Sequence, residues 1–188
     1  MRNFESSAPT IEEELPEGIE AEKGMSDFLA ENFSCVRAIT QNRSEIDDKN
    51  GIDMLAEIEY EDNVHQLAIE VSGPDPERRR EKAERQWRTP VVSLHNQNGK
   101  PVGDLVPRIL IGYNVGYFLS RQKEAEIQGK QISEVMSDKE KHDLKTGILS
   151  EILNQIDILA TDREYFKRIK NIRKAFEEEK ADLEELGI

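Results

Sequence analysis

Two consecutive segments of the chain alternate apolar and polar residues with a period of two, and this feature constrains the fold most. Residues 52–60 read IDMLAEIEY, and residues 64–72 read VHQLAIEVS. A short polar tip, residues 61–63, joins the two segments. Alternation with a period of two is typical of β-strands, and two such strands joined by a short polar connection predict a β-hairpin.

Helices and further strands are predicted on both sides of this hairpin. Asp75 followed by Pro76 is a favourable helix start, and Thr89-Pro90 ends that helix. The few apolar residues of this helix include Trp87, which we expect to dock it onto the rest of the protein. The patterns outside the hairpin predict a helix over 16–33, a strand over 35–40, a helix over 76–88, a strand over 91–95, a strand and its exit over 107–118, and helices from 119 onward.

This order of elements predicts an α/β fold. We expect a flexible acidic N-terminus over residues 1–15, an α/β core over 16–118 and a helical C-terminal extension over 119–188. A rich apolar stripe within residues 144–186 needs a partner surface. Two readings stay open: the stripe packs against the sheet of its own chain, or it binds a second subunit in a homodimer or another protein partner.

Composition limits the class of protein. The chain has 188 residues, which suits one domain of ordinary size, and a net charge of -13. It contains no apolar run of the roughly 20 residues that a membrane span needs, and its start lacks the pattern of a secretory signal. Its single cysteine, Cys35, excludes an intrachain disulfide. We therefore expect a cytoplasmic protein without a membrane partner.

The hairpin carries two carboxylates that are candidate metal ligands. Asp53 lies on the face opposite the apolar residues of its strand, and Glu70 ends an apolar run on the second strand. A buried carboxylate costs several kcal/mol unless a cation or hydrogen-bond donors accompany it. If the two face each other across neighbouring strands, they form an oxygen pair suited to Mg²⁺ or Mn²⁺. The alternatives are an ordinary turn residue for Asp53 and a salt bridge with an arginine for Glu70.

A basic run follows the second strand directly. Residues 77–88 contain six basic side chains against three acidic ones, although the whole chain is acidic. Basic side chains close to a helix N-terminus attract phosphate oxygens, so we predict contacts with the DNA backbone in this run. The candidate residues are Arg78, Arg79, Arg80 and Lys82. The alternative is a solvated helix face that is held by its own ion pairs.

With these residues and elements in this order, residues 16–118 resemble the PD-(D/E)xK nuclease superfamily. The resemblance rests on Gly51-Ile52-Asp53 for the metal-binding aspartate and on AIEVS, residues 68–72, for the (D/E)xK strand. It implies a restriction-endonuclease-like mixed sheet flanked by helices, and Mg²⁺-dependent hydrolysis of DNA phosphodiester bonds. It also implies that Asp53 and Glu70 are catalytic metal ligands, supported by Glu22 on the first helix.

The chain departs from the family pattern at one catalytic position. Ser72 stands where the family carries its lysine, and a serine cannot supply a positive charge to the transition state. Lys49 and Lys82 are candidates for a lysine that has moved elsewhere. A second hypothesis is therefore a catalytically inactive nuclease-like module that serves binding or assembly through its helical tail. A third is an interaction protein without a metal.

Overall fold

The computed structural model describes residues 17–41, 51–73, 75–95, 100–112, 115–160 and 163–185. The predicted N-terminal segment 1–15 and the loop that contains Lys49 lie outside these ranges. The elements are, in chain order, α1 (Glu17–Asn32), β1 (Val36–Gln41), β2 (Met54–Tyr60), β3 (Asn63–Val71), α2 (Pro76–Arg88), β4 (Val91–His95), β5 (Pro101–Ile111), α3 (Val115–Gln128), α4 (Ile132–Val135), α5 (Asp138–Leu159) and α6 (Arg163–Glu185). No helix in these ranges combines the length and the apolar content needed to cross a membrane.

The strands form a five-stranded mixed sheet in the order β1-β2-β3-β5-β4. Neighbouring strands are antiparallel except β3 and β5, which are parallel. The predicted hairpin is confirmed as β2 and β3, with Tyr60 opposite Asn63 at its tip. Glu61 and Asp62 make the turn with positive φ angles of 46° and 61°, which suit the tight turn of a two-residue hairpin. The α/β class is therefore confirmed.

The alternation in the hairpin separates two faces of the sheet. The first face presents Met54, Ile58, Leu67 and Ile69, which join the main hydrophobic cluster with α1, α5 and α6. The second face carries a smaller cluster that includes Ala68, and Ile52 belongs to it. The alternation predicted over residues 52–60 would place Ile52 on the face of Met54, which is wrong, because β2 begins only at Met54 and Ile52 lies outside the strand.

The apolar stripe of the C-terminal helices packs against the sheet of the same chain. Ile148, Ile152 and Ile156 on α5 are fully buried, and Ile172 and Phe176 on α6 are 1% exposed. All five belong to the cluster that contains the first face of the sheet. Of the two readings of this stripe, the structure shows the intramolecular one. The stripe therefore gives no argument for a second subunit.

The last strand begins earlier than the sequence predicts. The pattern predicts a strand and its exit over 107–118, whereas β5 spans Pro101–Ile111 and Phe118 lies in α3. Proline usually interrupts a strand, but Pro107 is tolerated here. The Arg108 N–H donates to Pro90 on the β4 side, so the Pro107 nitrogen faces β3, where pairing begins only at Arg108.

Candidate functional site

Asp53 directly precedes β2, where β3 continues beyond its pairing with β2. The terminal pair of the hairpin joins Met54 to Ile69, so among the described residues β3 has no strand partner on this edge beyond Ile69. The Asp53 carboxylate fills this position, because its Oδ2 accepts a hydrogen bond of 2.6 Å from the Val71 N–H. The Asp53 N–H in turn donates to the Ile69 carbonyl at 3.0 Å. The Asp53 side chain therefore has a fixed position at the edge of the sheet, and it is 15% exposed.

Lys82 reaches the same edge from α2, which covers this side of the sheet. Its Nζ donates to the Val71 carbonyl at 2.5 Å. The same Nζ lies 3.7 Å from Asp53 Oδ2 and 3.5 Å from Glu70 Oε1. Three oxygen atoms from three residues thus surround one positive charge. The Asp53 and Glu70 carboxylates thus both lie close to the same ammonium group.

Glu70 is a buried carboxylate with 1% side-chain exposure. Its Oε1 accepts a hydrogen bond from the Arg85 guanidinium, and its Oε2 has no hydrogen-bond partner among the described residues. Burial raises the pKa of Glu70, while the charges of Lys82 and then Arg85 oppose the rise, and the Asp53 charge adds to it. The salt bridge with an arginine that was the alternative for Glu70 is therefore present, next to the lysine contact.

A fully buried arginine completes this cluster of charges. Arg108 on β5 is 1% exposed and lies opposite Ala68 in the parallel pairing, two residues from Glu70 along β3. Its Nη2 donates to the Thr89 hydroxyl at 2.8 Å. Burial lowers the pKa of the Arg108 guanidinium, and the Glu70 charge opposes this change. Two acidic and three basic side chains therefore share the cluster, because Lys82 and Arg85 join Arg108.

Two glutamines that sequence reasoning did not assign to the site hold α2 and α5 onto the sheet below it. Gln86 on α2 donates to the Arg108 carbonyl at 3.1 Å and to Gln155 Oε1 at 2.6 Å. Gln155 on α5 bonds both the N–H and the carbonyl of Leu110, at 2.8 Å and 2.7 Å. It thereby replaces a strand partner on the β4 side of β5. These contacts fix α2, and with it Lys82 and Arg85, relative to β3.

Gly51 makes close backbone contact with the Glu70–Arg85 pair. Its φ of 72° is in the left-handed region. A Cβ atom at this position would lie 2.7 Å from Glu70 Oε2 and 2.9 Å from Arg85 Nη2. Glycine is therefore required here for two reasons, since a side chain would strain the backbone and displace the charged pair.

Gly51→Ala is expected to reduce the free energy of unfolding by about 1–3 kcal/mol more than Gly103→Ala. Gly103 is a matched control, because its φ is 74° and nothing lies within 4 Å of a Cβ there. Gly103→Ala therefore measures only the backbone cost, about 1–2 kcal/mol. Urea denaturation of both variants checks this difference, and equal losses would show that Gly51 does not constrain the pair.

The two other predicted site residues are Ser72, at the lysine position, and Glu22, on the first helix. Ser72 is fully buried, and its N–H donates to the Ile111 carbonyl at 2.8 Å, so it continues the pairing of β3 with β5. Glu22 is half-buried on α1, which packs on the first face of the sheet, whereas Glu70 faces the second. Within the described ranges no three His, Cys, Asp or Glu side chains form a group that could hold a metal. Glu22 is thus not grouped with Asp53 and Glu70.

The three consecutive arginines of α2 have different surroundings. The Arg78 side chain is 81% exposed, with its Nε 3.8 Å from Asp75. Arg79 is bound to Glu151 on α5 at 2.8 Å, so it joins α2 to the C-terminal helices. Arg80 is exposed. The Asp75 carboxylate caps the N-terminus of α2 by accepting from the Glu77 N–H at 2.9 Å, so this helix end already has an acidic partner.

Comparisons with known proteins add no identification. No protein-family model, curated protein or solved structure matches this chain. The assignment of a function therefore depends on the chemistry of the cluster formed by Asp53, Glu70, Lys82, Arg85 and Arg108, which we call the Asp53–Glu70 site.

Proposed function

We propose that this protein is a divalent-metal-dependent deoxyribonuclease of the PD-(D/E)xK type, with its active site at the Asp53–Glu70 site. The observation that carries the proposal is the position of Lys82, whose Nζ lies within 3.7 Å of both carboxylates and on the Val71 carbonyl. A lysine is missing at position 72, and Lys82 supplies the same charge from α2. The order α1, β1, β2, β3, α2 agrees with the resemblance in the sequence. The parallel pair of β3 and β5 makes the sheet a mixed one, which the resemblance also implies.

The residues present fit a magnesium or manganese ion in three respects. The Asp53 and Glu70 carboxylates and the Val71 carbonyl are hard oxygen donors, and Mg²⁺ commonly uses one or two protein carboxylates with water and phosphate oxygens. The buried Oε2 of Glu70 has no hydrogen-bond partner among the described residues. Finally, the Lys82 ammonium lies beside all three oxygens, which supports a preference of this position for positive charge.

The roles of the side chains follow from their charges. A bound metal supplies a Lewis acid for the phosphodiester and lowers the pKa of water. Asp53 and Glu70 would hold the metal, with the Val71 carbonyl beside them. Lys82 places a positive charge at the site, where it stabilises the negative charge that develops on the phosphate in the transition state. Because Lys82 and a metal share the same oxygens, they compete for negative charge in the free protein.

The DNA backbone is proposed to approach along one side of α2. Residues four and three positions apart share a side of a helix, so Arg78, Lys82 and Arg85 form a basic stripe that ends at the Asp53–Glu70 site. Arg80 lies two residues from both Arg78 and Lys82, which places it on the opposite side. Among the three consecutive arginines, Arg78 is therefore best placed to contact a phosphate of the bound DNA.

Arg78→Ala is expected to weaken the binding of a DNA duplex and to lower the slope of log affinity against log salt by about 1, because one phosphate contact is lost. Arg80→Ala removes the same charge from the same helix turn and is expected to leave that slope nearly unchanged. Fluorescence anisotropy with a labelled duplex over a series of salt concentrations checks both variants. Equal effects would show that DNA does not follow the proposed stripe.

The proposal is tested by thermal unfolding with and without Mn²⁺, together with cleavage of plasmid DNA. The wild type is expected to gain stability with Mn²⁺ and to cleave DNA, whereas Asp53→Asn is expected to do neither. Asp182→Asn on the exposed surface of α6 is the control and is expected to behave as the wild type. The proposal is wrong if the wild type shows neither metal-dependent stabilisation nor cleavage.

The catalytically inactive module is the second candidate, and the Arg85–Glu70 pair favours it. The site has three basic side chains and two carboxylates, so its net charge is positive. A positive net charge favours the binding of an anion over that of a further cation. This candidate predicts DNA binding that does not respond to Mn²⁺ and is not followed by cleavage. The same plasmid and anisotropy measurements separate it from the nuclease.

A further inference from the structure

We infer that Arg85 exchanges partners during the proposed reaction: it covers Glu70 in the metal-free protein and contacts a DNA phosphate once Glu70 holds a metal. This inference rests on the proposed function, and it assigns a substrate-binding role that sequence reasoning did not give to Arg85. It also accounts for a carboxylate that is paired with an arginine within a proposed metal site.

In the Arg85–Glu70 pair, the difference in side-chain exposure indicates that Arg85 is the partner with room to move. The Glu70 side chain is 1% exposed, whereas the Arg85 side chain is 43% exposed. The guanidinium therefore lies at the surface and covers the buried carboxylate. Glu70 is also the one acidic side chain that the described contacts give to the Arg85 guanidinium. An exposed side chain with one acidic partner can turn toward solvent without leaving other buried groups unpaired.

The pair also lacks the geometry of the strongest arginine–carboxylate contacts. In those contacts two nitrogens of the guanidinium bind both oxygens of the carboxylate. Here the contact joins one nitrogen, Arg85 Nη2, to Glu70 Oε1, while Oε2 has no hydrogen-bond partner among the described residues. Arg85 therefore engages only one of the two carboxylate oxygens, and the pair is held by a single hydrogen bond.

Lys82 is the cation that remains at Glu70 when Arg85 turns away. Its Nζ contacts Asp53 and the Val71 carbonyl as well as Glu70, so it is held by three groups. Arg85 is held by Glu70 alone among these groups. The two side chains lie three residues apart on the same side of α2. A guanidinium that leaves Glu70 therefore stays beside Lys82 and Arg78, where the phosphates of bound DNA are proposed to lie.

Arg85→Gln tests the exchange in two measurements. Titration calorimetry of the full chain with MnCl₂ is expected to show about tenfold tighter binding in this variant than in the wild type, because a competing positive charge is removed. Arg85→Lys, which keeps the charge, is expected to show no such gain. Arg88→Gln removes an exposed arginine one turn further along α2 and is expected to leave Mn²⁺ binding unchanged.

The second measurement is anisotropy with a labelled duplex, in Ca²⁺ and in EDTA. Arg85→Gln is expected to weaken duplex binding about threefold to tenfold in Ca²⁺, because a phosphate contact is lost. In EDTA it is expected to have no effect, since Arg85 is then bound to Glu70. A merely structural Arg85 would give equal effects in both buffers.

The outcomes separate this inference from the proposed function. If the wild type binds Mn²⁺ and Arg85→Gln binds it equally well or more weakly, the exchange is overturned while the metal site stands. If Mn²⁺ binds only to Arg85→Gln, Arg85 blocks the site in the wild type and does not give up Glu70, so the exchange is overturned. If neither protein binds Mn²⁺, the proposed function is overturned and the inference with it.

Discussion

Lys82→Met is expected to lower the rate of DNA cleavage by about 100-fold to 1,000-fold, the loss typical of removing one group that stabilises transition-state charge. The same variant is expected to bind Mn²⁺ more tightly than the wild type. The two effects have one cause: the ammonium contacts Asp53, Glu70 and the Val71 carbonyl, so it competes with a metal for them. Single-turnover cleavage assays and Mn²⁺ titrations measure the two effects separately.

The opposite directions of these effects make the prediction specific. Damage to the fold would weaken both cleavage and metal binding. Lys123→Met removes an exposed lysine of α3 and is expected to change neither quantity. If Lys82→Met cleaves DNA at the rate of the wild type, Lys82 is not the lysine that is missing at position 72.

Glu70→Ala is expected to lower the free energy of unfolding by about 3–5 kcal/mol, because removing one partner of a buried ion pair leaves the others uncompensated. Three positive side chains act on the Glu70 carboxylate, and Arg108 is the one that is 1% exposed. Lys82 and Arg85 are partly exposed and can turn toward water. Arg108 is therefore expected to contribute to the loss, and urea denaturation measures the total.

Two further variants test this explanation of the loss. Glu59→Ala removes an exposed carboxylate from β2 of the same hairpin and is expected to change the stability by less than about 0.5 kcal/mol. Adding Arg108→Met to Glu70→Ala is expected to recover part of the lost stability, because the buried charge is then absent. If the double variant is less stable than Glu70→Ala alone, Arg108 does not depend on Glu70 for its charge balance.

Local patterns were sufficient to predict the hairpin and the burial of Glu70. The alternation of β2 and β3 fixes which side chains share a face, and an acidic residue within an apolar run must be buried with them. Asp75 and Pro76 likewise mark the start of α2, where Asp75 accepts from the Glu77 N–H as a cap. These features depend on residues that are close together in the chain.

The partners of Glu70 could not be read from the sequence in the same way. Arg108 comes near Glu70 only because β5 pairs with β3 in parallel, in a register that places Ala68 opposite Arg108. A parallel pair is joined through a long crossover, so its register leaves no local pattern. Lys82 was named as a candidate, but its position depends on the docking of α2.

The docking of α2 was the weakest part of the sequence prediction. Trp87 was expected to dock this helix, yet its side chain is 52% exposed. Gln86 is buried instead, and it bonds to Gln155, which lies 69 residues away. A helix held by polar contacts to distant residues shows no apolar stripe, so its buried face is not visible in the sequence.

Diffraction from crystals soaked in MnCl₂ tests the central claim most directly. An anomalous peak is expected at roughly 2.1 Å from carboxylate oxygens of both Asp53 and Glu70, the distance expected for a small divalent ion. Arg85 is expected to have left Glu70 in these crystals. A saturating soak that gives no peak between the two carboxylates, with Arg85 still bound to Glu70, would contradict a metal site at these residues.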